Sequence, residues 1–137
     1  MPLRIVRLGS PRHAEEGLRI GTVRRPPRGV PKADLARRDW YDVWFPTLAP
    51  SAAALKLGQA AAANPADLAA WARFSRSYNA EMKEPQAQHA LDLLAALSNR
   101  SDFSVGCYCA QESRCHRSLL RALLEGKAAL IAKDGTS

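Results

Sequence analysis

Phe103-Ser104-Val105-Gly106-Cys107-Tyr108-Cys109, followed after a short break by Arg114-Cys115-His116-Arg117-Ser118-Leu119-Leu120-Arg121-Ala122-Leu123-Leu124, is the stretch whose reading decides the fold. The first part is the clearest strand in the chain. Phe103, Val105, Cys107 and Cys109 point to one face, and Ser104, Gly106 and Tyr108 to the other. Ala110-Gln111-Glu112-Ser113 is a loop into a helix expected from Arg114 to Glu125, ended by Gly126. Cys115 stands four residues before Leu119, and His116 four before Leu120, so both side chains begin the helix's buried face. Arg117 and Arg121 share a row at its rim.

Upstream, Leu3 to Leu8 alternates apolar and basic residues and reads as a strand closed by Gly9-Ser10-Pro11, and Leu18 to Val23 reads as a second strand. Arg24-Arg25-Pro26-Pro27-Arg28-Gly29-Val30-Pro31 holds too much proline for a helix interior or a central strand, so it is a loop carrying three arginines. A short helix is expected over Lys32 to Arg38 and a third strand over Trp40 to Leu48. Asn64-Pro65-Ala66-Asp67 caps a helix whose Leu68, Trp71, Phe74, Tyr78 and Met82 recur at helical spacing. Glu84-Pro85 starts another, striped by Ala87, Ala90, Leu91, Leu94 and Leu97, with His89 off the stripe and exposed. Ala128 to Ala132 is a last short strand or a frayed extension. Strands alternating with helices imply a small α/β fold, a mostly parallel sheet flanked by helices in a Rossmann-like three-layer arrangement. In such sheets ligands bind at the carboxyl ends of the strands, where both the arginine loop and the cysteine segment fall.

The 137 residues suit one domain, 1–137, with 133–137 as a disordered tail. Apolar residues at 47% and charged residues at 24% are globular values. Apolar stretches stay well short of the ~20 residues a membrane span needs, and Met1 to Arg7 holds too short an apolar run for a secretory signal, so a cytoplasmic location without membrane partners is expected. The net charge is +7, and it is uneven. Residues 1–40 hold ten Lys or Arg against four acids; residues 41–137 hold ten against nine. Fifteen of the twenty cations are Arg, the side chain suited to bidentate contact with phosphate or carboxylate.

Cys107, Cys109 and Cys115 are the only cysteines, an odd clustered set that argues for reduced thiols. A helix N-terminus favours an anion and lowers a thiol's pKa, which makes Cys115 a candidate nucleophile with His116 beside it. The spacing is not that of a tyrosine-phosphatase loop, because four residues separate Cys109 from Arg114 and the loop holds no glycine. Three thiolates and an imidazole are a zinc ligand set, but Cys107-x-Cys109 lacks the usual two to four intervening residues, and Cys115 and His116 diverge by about 100° on a helix. No metal and no cofactor are expected. Cys107 and Cys109 also suit a buried strand as small hydrophobes.

The strand, the run Cys-x-Cys-x5-Cys-His-Arg and the leucine-rich helix resemble the C-terminal signature of the bacterial family called domain of unknown function 488. Arg28-Gly29-Val30-Pro31-Lys32, Leu48-Ala49-Pro50-Ser51 and Trp71-x-x-Phe74-x-x-x-Tyr78-x-x-Glu81 resemble its YeaO-like branch. The resemblance implies a compact α/β domain of bacterial cytosolic origin and no established reaction. Where that branch has Asp-Arg-Leu-Trp-Pro-Arg-Gly, this chain has Val23-Arg24-Arg25-Pro26-Pro27-Arg28-Gly29, without the acid and the tryptophan but keeping Arg24 and Arg28. The expectation is a cleft for a small phosphate or carboxylate ligand, formed by Arg24, Arg25, Arg28, Ser113, Arg114 and Arg117, with Cys115 and His116 as candidate catalytic groups. The alternatives are a nucleic-acid binding module using the basic N-terminal third, and a thiol-dependent enzyme or redox protein.

Overall fold

The computed structural model describes residues 2–109 and 115–132. Four strands form one parallel sheet: β1 (Leu3–Arg7), β2 (Leu18–Gly21), β3 (Val43–Trp44) and β4 (Phe103–Cys107), in the order β1-β4-β2-β3. Helices α1 (Ala52–Ala63), α2 (Leu68–Glu81), α3 (Pro85–Ser98) and α4 (His116–Gly126) complete a small three-layer α/β fold. β4 lies between β1 and β2, pairing Leu3 with Phe103 on one side and Leu18 with Phe103 on the other. All five of its residues are buried, as expected of a central strand covered on both faces. The main core joins Ile5, Phe74, Leu91, Val105, Leu120 and Leu124 across the layers. A second apolar cluster sits at the carboxyl end of the sheet and includes Val6, Leu8, Val23, Tyr41, Cys107 and Cys115.

Several elements differ from the sequence expectation. The third strand shrinks from nine residues to Val43–Trp44, because Pro46 has no N–H for a ladder and instead opens a 3-10 turn over Pro46–Leu48. Lys32 to Arg38 is only a 3-10 turn over Lys32–Asp34. In α4 the first helical residue is His116; Cys115 is its N-cap, and Gly126 is the last helical residue instead of the one past the end. Leu68 and Leu97 lie outside the packed faces, exposed by 68% and 39%. Beside Leu97, the buried Ser98 hydroxyl donates to Ala95 O at 2.6 Å and accepts from Leu130 N at 2.8 Å, fastening the C-terminal segment. That segment extends the sheet by one bridge, Leu3 to Ile131. The expected tail, 133–137, lies outside the described residues. Among the described residues no helix is long and apolar enough to cross a membrane.

Helix α1, which no sequence signal set apart, is an alanine-rich run that packs against α2. Its start is fixed by Ser51, whose Oγ accepts from Ala54 N at 3.1 Å and donates to the Glu81 carboxylate on α2. Glu81 also accepts from Ser51 N at 2.9 Å. Ser51→Ala removes the cap and leaves that carboxylate one donor short. The expected cost is about 1 kcal/mol, read from urea unfolding, while Asn64→Ala at the uncapped other end changes stability by less.

Candidate functional site

In an all-parallel sheet the carboxyl ends of all strands share one edge, so the loops after β1, β2 and β4 open on the same side. They line an open cleft of about 1140 Å³. The loop after β2 contributes Arg24, Arg25 and Arg28; the end of β4 contributes Cys107, Tyr108 and Cys109; the start of α4 contributes Cys115 and His116. Arg7 at the end of β1 and Lys56 from α1 also line it. Five cationic side chains thus line the cleft, and no carboxylate does so among the described residues.

The two loops are joined directly. Tyr108 Oη donates to Arg25 O at 2.8 Å, and burial pushes its phenol pKa up, so it stays a donor. The Tyr108 ring packs edge-on against Trp40, with centroids 5.7 Å apart. The half-buried Arg24 is a strut: its Nε donates to Pro50 O at 2.9 Å and its Nη2 to Ala49 O at 3.4 Å, tying the loop to the segment that enters α1. Arg25 and Arg28 are exposed.

His116 is buried and held at both sides. Its Nε2 lies 2.8 Å from Thr22 O, a carbonyl that can only accept, so Nε2 carries the hydrogen and a neutral ring leaves Nδ1 bare. That Nδ1 faces Cys115 Sγ at 3.8 Å. Thr22 is itself fixed by its hydroxyl donating to Gly106 O at 2.9 Å, and the Tyr78 ring packs 5.5 Å from the imidazole.

The three sulfurs converge: Sγ atoms of Cys107, Cys109 and Cys115 all lie within 4.8 Å of one another, with Cys107 and Cys109 3.8 Å apart. Spacing alone argued against this. The pleat overrules it, because residues two apart at a strand end project to the same face. Cys115 is then brought over them by the turn of chain that begins α4. The three thiols differ in how readily they ionise, Cys109 most readily. Hydrogen bonds from the Cys107 and Cys115 thiols hold its pKa far below the usual thiol value, helped by the nearby Arg117 cation. The same bonds push the other two thiols up, and their burial adds to it. These surroundings thus act against ionisation of Cys115, the candidate nucleophile, and favour it at the half-buried Cys109.

Arg117 is not at the rim of α4. It is fully buried, it does not line the cleft, and its Nη2 donates to Cys109 O at 2.6 Å. That bond reaches past the end of β4, to the segment that carries Cys109. Ser113 and Arg114 lie outside the described residues. Arg7, Trp40, Lys56 and Tyr108 are lining residues that the sequence did not single out. Tyr108 carried the one available signal, an aromatic residue set between two cysteines.

No curated protein and no solved structure matches the chain. The match is to a family, over residues 3–128 and so nearly the whole length: the chain belongs to DUF488-N3a, the active DUF488-N3 subclade.

Proposed function

We propose that this protein binds a small anion, a phosphate or a carboxylate, in the cleft at the carboxyl edge of its sheet. One observation carries the reading: five cations and no described carboxylate line a cleft that also holds the N-terminal end of α4. Cations in a cleft with low-dielectric walls reinforce one another's field, and helix N–H groups add to it. Arg25 and Arg28 make the first contacts, because they line the cleft and are exposed. Arg24, already engaged with two carbonyls, holds the loop in place. A cytoplasmic location belongs to this reading, since three unpaired thiols suit a reducing compartment.

Titration of inorganic phosphate or acetate into the reduced protein, followed by calorimetry, tests the proposal. Arg25→Ala combined with Arg28→Ala is expected to weaken binding by roughly tenfold, from two partly screened charge contacts, without changing stability. Unchanged affinity in that variant overturns the reading. Tight binding of a single-stranded oligonucleotide with a steep salt dependence, and none of free phosphate, selects the nucleic-acid alternative in its place.

A further inference from the structure

We propose that Cys107, Cys109 and Cys115 form a three-thiolate site for one zinc ion, with the fourth coordination position open to the cleft. The proposal rests on the sulfur geometry and not on anion binding. Tetrahedral zinc with Zn–S bonds of about 2.3 Å holds its sulfurs about 3.8 Å apart. Cys107 and Cys109 already stand at 3.8 Å, and Cys115 lies within 4.8 Å of both, so only small side-chain rotations bring all three onto one ion.

The surroundings suit such a site in three further ways. First, its backbone is held before any metal arrives. Cys107 ends the central strand, and the Cys115 carbonyl accepts from Ser118 N at 3.0 Å and from Ser118 Oγ at 2.9 Å. Second, its charge is balanced. Three thiolates and one Zn2+ carry a net single negative charge, and the buried Arg117 beside Cys109 has Nε and Nη1 without a hydrogen-bond partner among the described residues. A buried guanidinium gains from a negative neighbour, and the anionic metal cluster places one beside it. Third, the donor set is all sulfur, which selects zinc or another thiophilic ion over magnesium or calcium.

His116 is an outer positioning residue: its Nε2–H is anchored on Thr22 O while Nδ1 faces the Cys115 sulfur. All three cysteines are among the residues lining the cleft, from which water or an anion would complete the tetrahedron. On binding, each sulfur that still carries a proton gives it to solvent as it bonds the metal, and no electron is transferred.

The test uses the full-length reduced protein in buffer free of phosphate and sulfate, so that its outcome is separate from that of the anion titration. One equivalent of Co2+ is expected to give the strong visible bands of a tetrahedral site together with a near-ultraviolet thiolate-to-cobalt charge-transfer band, both removed by one equivalent of Zn2+. X-ray absorption of the zinc form is expected to count three sulfurs. Cys109→Ser, at the half-exposed position that tolerates change, is expected to lower zinc affinity by at least about 100-fold with the fold intact by circular dichroism, and His116→Gln by about 10-fold. No charge-transfer band, a count of two sulfurs or fewer, or unchanged affinity in Cys109→Ser each overturns the proposal.

Discussion

Glu16→Ala is expected to destabilise the protein by about 3–5 kcal/mol, a large share of the ~5–15 kcal/mol that holds a typical domain. Glu16 is 1% exposed and its partner Arg19, on β2, is fully buried. The carboxylate accepts from Arg19 Nε at 2.6 Å, Arg19 Nη2 at 2.9 Å, Ser104 Oγ at 2.5 Å on β4, and His13 N at 3.1 Å. Arg19 in turn donates through Nη1 to Ser10 O and Asp39 O. Removing the carboxylate leaves the guanidinium charged and uncompensated in the interior, which costs far more than the intact pair contributes. Acid has a related effect. Burial opposes ionisation of Glu16, but the bonds from Arg19, Ser104 and His13 outweigh it and hold the carboxyl below its usual range. A carboxyl with a lowered folded pKa contributes stability above its unfolded value of about 4.3, and that contribution is lost as pH falls through the folded value. Urea unfolding from pH 7 down to pH 3 should therefore show a steeper loss in the wild type than in Glu16→Gln. Equal slopes, or a cost of Glu16→Ala below about 1 kcal/mol, would refute this account of the pair.

Gly17→Ala is the second large effect, expected at about 3 kcal/mol. Gly17 has φ +73°, and a Cβ there would stand 2.1 Å from the carbonyl oxygen of Asp102. That oxygen belongs to the turn entering β4, and it cannot retreat without shifting the strand register. Gly29 provides the control. It has the same φ of +73°, yet nothing lies within 4 Å of its Cβ position. Gly29→Ala should meet only the left-handed backbone penalty of about 1–2 kcal/mol. Thermal unfolding of both variants separates strain from collision: a cost for Gly17→Ala no greater than for Gly29→Ala rules out the collision.

The β4–α4 unit, the start of α3 and the edge on which the arginine and cysteine loops meet were legible, because each follows from a local rule. Alternation found β4, Pro85 marked the start of α3, and parallel topology put both loops on one side, whereas α2 starts later than expected: Asp67 is its N-cap, and Asn64, expected there, closes α1. What was not legible depended on packing between distant segments. Helix α1 carries alanines on most positions, so it has little apolar periodicity to detect. Arg117 follows a row that a lone helix would leave at its rim, yet it is fully buried and its guanidinium reaches Cys109 O, beyond the end of β4. Arg19 reads as a surface strand residue until Glu16 and Ser104 are seen beside it. The convergence of three sulfurs was hidden for a similar reason. Ligand-spacing rules describe knuckles and helices, whereas here a pleated strand end and a returning helix supply the donors.

The strand order has a consequence for how the chain comes off the ribosome. β1 and β2 do not pair with each other; each pairs with β4, which begins 100 residues after the start of β1 and 85 after the start of β2. Synthesis at roughly 5–20 residues per second leaves β1 without a strand neighbour for several seconds, while the helices between can already form from local contacts. When β4 at last threads between its neighbours, it completes the sheet and delivers two of the three thiols in the same movement. Sheet closure and the founding of the sulfur cluster are a single late event in the birth of this protein.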